Sequence, residues 1–223
     1  MQRSAFLAGL GAAPLVAATG AGPLRILVLG DSLALATGAS RADGGFIFPA
    51  FRRLLLEHPG SELDNVAIGG STVADVLRLQ APRVAASDPD VTIVCVGAND
   101  VVRGTPPGAF ARTYHALLAA IARAAPRARL ICCGVPDIAA SPLFSDEPAL
   151  VARRSAADDA AVRAAARAAG ARHVDFFTIT ARHIGHDEQF FSRDRFHPSD
   201  AGYALLRAAL LPALKAAAGR FVL

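Results

Sequence analysis

Five short apolar runs, each followed by a stretch of helical spacing, limit what this chain can fold into. Arg25 to Leu29, Glu62 to Ile68, Val91 to Val96, Ala128 to Cys133 and Arg172 to Phe176 read as strands. Apolar residues recur at helical period between them: Phe48, Phe51, Leu54 and Leu55 within Gly44 to His58, then Val73, Val76, Leu77 and Val84 within Thr72 to Ala86. Pro106 to Ala124, Glu147 to Ala169 and Ala201 to Ala218 read as further helices. Continuous apolar strands are buried on both faces, and strand–helix alternation supplies the crossovers that parallel strands need. The expectation is one doubly wound α/β domain over residues 22–223, with a five-stranded parallel sheet.

Sheets of this kind often hold nucleotides at the carboxyl ends of their strands. Here the first strand runs into Gly30-Asp31-Ser32, with no G-x-G-x-x-G, and the only lysine is Lys215, in the final helix. A phosphate-cradling loop is therefore not expected. Hydrophobic residues make up 53% of the chain, but alanine supplies much of that, and no apolar run reaches the ~18 residues that span a bilayer. The net charge of +4 comes from arginines scattered singly or in pairs such as Arg52-Arg53 and Arg153-Arg154, which read as solvated helix faces rather than a nucleic-acid surface. Cys95, Cys132 and Cys133 all lie in strand-like runs. Adjacent strand residues point to opposite faces, so Cys132 and Cys133 are read as free, buried thiols.

Residues 1–21 differ from the rest. Arg3 precedes a charge-free stretch from Ala5 to Ala18, followed by small residues at Val16-Ala17-Ala18 and Thr19-Gly20-Ala21. That layout predicts a secretory signal peptide and an exported protein; the alternative is a disordered extension of a cytoplasmic one.

Four polar or glycine-bearing sequences fall at or beyond strand ends: Gly30-Asp31-Ser32, Asn65 to Thr72, Gly97-Ala98-Asn99-Asp100, and Ser192 to Pro198. Together they hold what acyl transfer needs. A serine hydroxyl is a poor nucleophile until an imidazole takes its proton, and a carboxylate on the other ring nitrogen sets the tautomer. Ser32, His197 and Asp194 are the residues of those types, and Asp194 and His197 stand three apart, so both can face the site. The Ser32 and Gly70 N–H groups and the Asn99 amide are candidate oxyanion donors. Each has a plainer reading: Ser32 as a helix N-cap, Gly70 as a residue of positive φ, Asn99 as a turn former, Asp194 as a surface acid beside Arg193 or Arg195. Asp31 and Asp100 are read as turn-holding residues.

Gly30-Asp31-Ser32-Leu33, Gly70 within Asn-x-Ala-x-x-Gly-x-Thr, Gly97-x-Asn99-Asp100 and Asp194-x-x-His197 resemble, in order, the four blocks of the SGNH/GDSL hydrolase superfamily of serine esterases and lipases. The resemblance runs from Arg25 to the final helix. It implies a flavodoxin-like three-layer α/β/α sandwich, a Ser32–His197–Asp194 triad, an oxyanion hole of Ser32, Gly70 and Asn99, and neither metal nor organic cofactor. A rival metallic reading takes His183, His186, Asp187, Asp194 and His197 as ligands, but leaves Ser32, Gly70 and Asn99 unexplained.

The expected partner is a small-molecule ester, with no nucleic acid, no membrane span and a monomeric chain. Segments Arg41 to Phe48 and Pro136 to Pro148, the second with Leu143 and Phe144, are the ones able to shape a pocket. With no tryptophan and two tyrosines there is little to stack on a sugar, so esters of short or medium acyl chains are favoured. Carbohydrate O-deacetylation, thioester hydrolysis and a non-catalytic binding module of the same fold are the alternatives.

Overall fold

The computed structural model describes residues 22–139, 141–183 and 187–219. The N-terminal stretch read as a signal peptide or extension lies outside the described residues, as does His186. Strands β1 (Arg25–Gly30), β2 (Glu62–Asn65), β3 (Val91–Cys95), β4 (Arg129–Cys133) and β5 (Arg172–Val174) form one sheet in the order β2-β1-β3-β4-β5. Every pairing is parallel, with Ile26 beside Val91 and Val28 beside Ile93. The fold is the expected three-layer α/β/α arrangement with a flavodoxin-like strand order.

Alternation along the strands divides the core in two. Ile26, Val28, Ile93, Cys95 and Cys133 point to the face covered by α1 (Ile47–Leu54), α7 (Phe176–His183) and α8 (Asp200–Ala218), where Phe46, Phe176 and Tyr203 pack together. Leu27, Leu29, Val94 and Cys132 point the other way. They meet α2 (Val73–Asp75), α3 (Arg83–Ser87), α5 (Pro107–Ala124) and α6 (Pro148–Ala168). Cys132 and Cys133 thus lie on opposite faces, and all three cysteines are buried and free. The outer strands are short; β2 is polar and largely exposed, which suits an edge.

Helix α8 is long and apolar enough to cross a membrane by length and composition, but its apolar side lies in the core against β4 and β5.

Several expected elements differ from those observed. β2 ends at Asn65 and β5 at Val174, each shorter than read. The Asp175 carboxylate accepts the Thr178 N–H, which starts α7 inside the apolar run that the sequence suggests as strand. Thr72 to Ala86 is not one helix. After a capping box of Thr72 and Asp75 it widens into a π turn at Val76–Gln80 and resumes only at Arg83. Pro82 has no N–H to continue an α-helix, and the extra residue of the π turn carries Gln80 toward the sheet. Short helix α4 (Ala98–Arg103) follows β3 where the sequence suggests only a turn.

Candidate active site

The strand order reverses between β1 and β3, and Ser32 lies just past the end of β1 at that crevice. The Asp31 N–H donates to Cys95 O at 3.2 Å, extending the β1–β3 ladder to the residue before the serine. Leu35 and Thr37 N–H both donate to Ser32 O, folding the chain into turns. No helix begins there, as α1 starts only at Ile47, so the N-cap reading of Ser32 falls away.

His197 and Asp194 arrive on a tight hairpin. Phe191 bridges Pro198, Ser192 N–H donates to His197 O, and Arg195 N–H donates to Ser192 O. Asp194 Oδ1 accepts three donors: Ser192 Oγ at 2.8 Å and the Phe196 and His197 N–H groups at 2.9 Å each. Its Oδ2 lies 2.6 Å from His197 Nδ1, and His197 Nε2 lies 2.8 Å from Ser32 Oγ. Partial burial pushes the Asp194 pKa up, but these hydrogen bonds outweigh it and hold the carboxyl well below the usual carboxylate range. Asp194 is committed to this hairpin rather than to Arg193 or Arg195. The Phe196 ring stands edge-on to the imidazole, 4.9 Å between centroids, and Phe144 stands edge-on to Phe196.

The candidate oxyanion donors meet around Asn99. Asn99 Nδ2 donates to Ser71 O at 3.1 Å and to Asp31 Oδ2 at 3.3 Å, so the amide bridges the residue after Gly70 and the residue before Ser32. Gly70 has φ +77°, a conformation glycine adopts without penalty, as the plainer reading required. Among the described residues, neither Ser32 N–H nor Gly70 N–H is engaged by another protein group.

Asp31 and Asp100 do hold turns. Asp31 is buried and accepts the Leu33 N–H; desolvation pushes its pKa up to about 7 against the lowering effect of that bond, with Asp100 adding a further rise. Asp100, also buried, accepts Val73 N–H and Thr105 Oγ, and desolvation raises its pKa. Two supporting residues were not legible in the sequence. Gln80 is fully buried and pairs with both backbone groups of Gly30, Oε1 accepting its N–H and Nε2 donating to its O, each at 2.8 Å. Arg103 Nη2 donates to Gly70 O at 2.8 Å. A glutamine aimed at a strand end 50 residues upstream leaves no periodic signal.

Of the two segments expected to shape a pocket, only the second borders the serine and histidine. Pro136, Asp137 and Ile138 join Ser32, Ala98, Phe196 and His197 around a largely apolar cavity of about 40 Å³. The 41–48 segment, with Leu35, Phe51 and Leu63, lines a surface hollow of about 460 Å³. Phe144 packs on the body of the domain, whereas Leu143 is exposed. Among the metal-reading residues, His183 ends α7 exposed, Asp187 accepts the Gln189 N–H, and Asp194 and His197 bind each other. Among the described residues no three His, Cys, Asp or Glu side chains converge as a metal site requires.

A doubly wound sheet with a serine, a histidine and an aspartate hydrogen-bonded in series at its carboxyl edge places the chain among the α/β serine hydrolases. The model of the GDSL-like lipase/acylhydrolase family matches residues 28–205, and the chain belongs to that family as a serine ester hydrolase. Solved structures of the same fold include TesA, at 23% identity and TM-score 0.70, covering 86% of this chain and 99% of that one. The psychrotrophic esterase EstA from Pseudoalteromonas sp. aligns at 21% identity and TM-score 0.67, covering 86% and 97%. An acetyl xylan esterase from Geobacillus stearothermophilus aligns at 21% identity and TM-score 0.67, covering 87% and 96%. No curated protein sequence matches the chain.

Proposed function

We propose that Ser32 is the nucleophile, His197 the general base and acid, Asp194 the group that orients His197, and Ser32 N–H, Gly70 N–H and Asn99 Nδ2 the oxyanion donors. Ser32 Oγ attacks the ester carbonyl carbon as its proton passes to His197 Nε2, and the carbonyl electron pair moves onto the oxygen held by the three donors, one Asn99 Nδ2 hydrogen turning to it from its 3.3 Å bond to Asp31 Oδ2. Collapse of this intermediate expels the alcohol, which takes the proton back from His197. Water then attacks the acyl-serine by the same route and releases the acid. The observation that carries this reading is the series Ser32 Oγ–His197 Nε2, 2.8 Å, and His197 Nδ1–Asp194 Oδ2, 2.6 Å.

A short acyl group is the favoured substrate feature. The cavity beside Ser32 and His197, about 40 Å³, has room for about three water-sized groups and is lined mainly by apolar atoms. The acetyl xylan esterases among the similar structures are consistent with acetyl transfer, and acetylated sugars belong in the substrate panel. Hydrolysis of p-nitrophenyl acetate, butyrate and octanoate by the wild type and by Ser32→Ala tests the proposal. Turnover should fall with chain length and vanish in the variant. Equal turnover by Ser32→Ala removes the proposed nucleophile, and a preference for octanoate removes the short-acyl assignment. The charge-free stretch Ala5 to Ala18 also supports export, which N-terminal sequencing of the protein recovered from culture medium tests directly.

A further inference from the structure

The loop that carries Gly70 has two consecutive glycines, Gly69 and Gly70, spanned from within by one turn hydrogen bond, Ser71 N–H to Ile68 O at 3.2 Å. A Cβ at Gly69 would meet nothing within 4 Å, so its own surroundings do not hold it in place. Ile68 N–H on Gly30 O and Gln80 Nε2 on Ser71 Oγ tie the loop's flanks to the site, and helix α4 holds it from the other side. Asn99 donates to Ser71 O at 3.1 Å, Asp100 accepts the Val73 N–H at 2.9 Å, and Arg103 donates to Gly70 O at 2.8 Å. Three side chains, at spacings of one and three residues on one short helix, grip three backbone groups within four residues of the loop. Asp75, at the loop's far end, accepts from Thr72 and from Arg78, and its Oδ2 lies 4.0 Å from Arg103 Nη1.

We propose that Arg103 is a positioning residue for the oxyanion hole, acting through the Gly70 carbonyl to hold the Gly70 N–H on the site. The inference rests on the oxyanion assignment made above. A glycine at φ +77° has no side chain to restrict either of its backbone torsions, so the N–H on one side turns when the carbonyl on the other is released. The Ser71 N–H of the same peptide plane makes the 3.2 Å turn bond to Ile68 O, and Arg103 adds the shorter restraint at the carbonyl. Its guanidinium is rigid and planar, so one N–H can bond the carbonyl while the neighbouring nitrogen faces the Asp75 carboxylate. The side chain is 57% exposed, so the interaction contributes little to global stability, and its effect falls on geometry. Removing an oxyanion donor outright costs about 10²–10³-fold in the chemical step, and loosening one costs a fraction of that.

The test is steady-state kinetics on p-nitrophenyl acetate for wild type, Arg103→Ala, Arg103→Lys and Arg78→Ala, with inactivation by a p-nitrophenyl phosphonate ester as a second readout. The phosphonate forms a tetrahedral adduct on Ser32 whose oxygen occupies the oxyanion position. Arg103→Ala should lower kcat about tenfold with KM within twofold, and slow phosphonate inactivation by a similar factor. Its thermal midpoint should match the wild type. Arg103→Lys should recover part of the loss, since an ammonium also reaches a carbonyl. Arg78→Ala removes a cation from the same Asp75 without touching Gly70 and should leave kcat unchanged. A change confined to KM would make Arg103 a substrate contact instead, and an unchanged kcat would overturn the proposal. Arg78→Ala matching Arg103→Ala would assign the effect to the ion pair on Asp75 and overturn it equally. An inactive wild type, or an active Ser32→Ala, would instead mark failure of the underlying assignment.

Discussion

In an Asp194→Asn variant the new amide has two ways to sit, and the hairpin decides between them. Oδ1 accepts three donors, Ser192 Oγ–H and the Phe196 and His197 N–H groups, so the amide oxygen belongs there. The NH2 then faces His197 Nδ1, which must become an acceptor. The imidazole proton moves to Nε2, and Nε2 donates to Ser32 Oγ instead of accepting from it, leaving the serine without a base. Restoring the working tautomer means flipping the amide and leaving three donors facing an NH2, at about 1 kcal/mol each, or roughly 150-fold. Replacing a charged partner of the imidazolium by a neutral one costs roughly another factor of ten. The expected loss in kcat/KM on p-nitrophenyl acetate is therefore about 10³-fold. Deleting one of the three donors lowers the cost of the flip, so Ser192→Ala/Asp194→Asn should run about fivefold faster than Asp194→Asn alone. A single-variant loss below tenfold would refute Asp194 as the orienting group. A double variant no faster than the single would refute the seating argument.

Three further outcomes follow from the residues beneath the serine. Asp31 has a folded pKa near 7 against 3.8 when unfolded, so its contribution to stability is greatest in acid, is lost as pH rises from about 4 to about 7, and is flat above; Asp31→Asn should remove that slope, gaining up to roughly 4 kcal/mol on the wild type between pH 4 and pH 8 in urea unfolding. A slope unchanged by the substitution would assign the pH dependence to another group. Gln80→Met leaves the buried Gly30 N–H without its acceptor and should cost about 1–3 kcal/mol in the same measurement, whereas a neutral outcome would mean that the π turn relaxes to pair it otherwise. In Gly30→Ala the new Cβ would lie 2.3 Å from the Cys95 carbonyl oxygen, so β1 and β3 must part; a loss of about 3 kcal/mol is expected, and a thermal midpoint within two degrees of wild type would contradict the close approach.

The strand ends were legible because a buried parallel strand must be apolar throughout and must stop where polar residues begin, as at Leu29-Gly30-Asp31 and Val96-Gly97-Ala98-Asn99. Helices α5 and α8 were legible within a residue or so, since long amphipathic stretches carry their own period. Short helices were not. α4 is too brief to show a period, and α7 begins inside an apolar run that reads equally well as strand until Asp175 caps it.

What the sequence determined by itself was the set of chemical groups and their order: a serine after the first strand, a glycine and an asparagine after the next two, and an aspartate three residues before a histidine. Local pattern suffices for that, because each group sits where its own strand ends or its own turn tightens. Whether Ser32 caps a helix or meets an imidazole depends on a residue 165 positions away, and only the packed sheet brings the two to 2.8 Å. The same holds for Gln80 beneath Gly30 and Arg103 on Gly70 O, whose partners are backbone groups that look alike everywhere in a sequence. Side chains that bond to backbone leave no complementary residue to read, so the supports of the site appear only when the chain is folded.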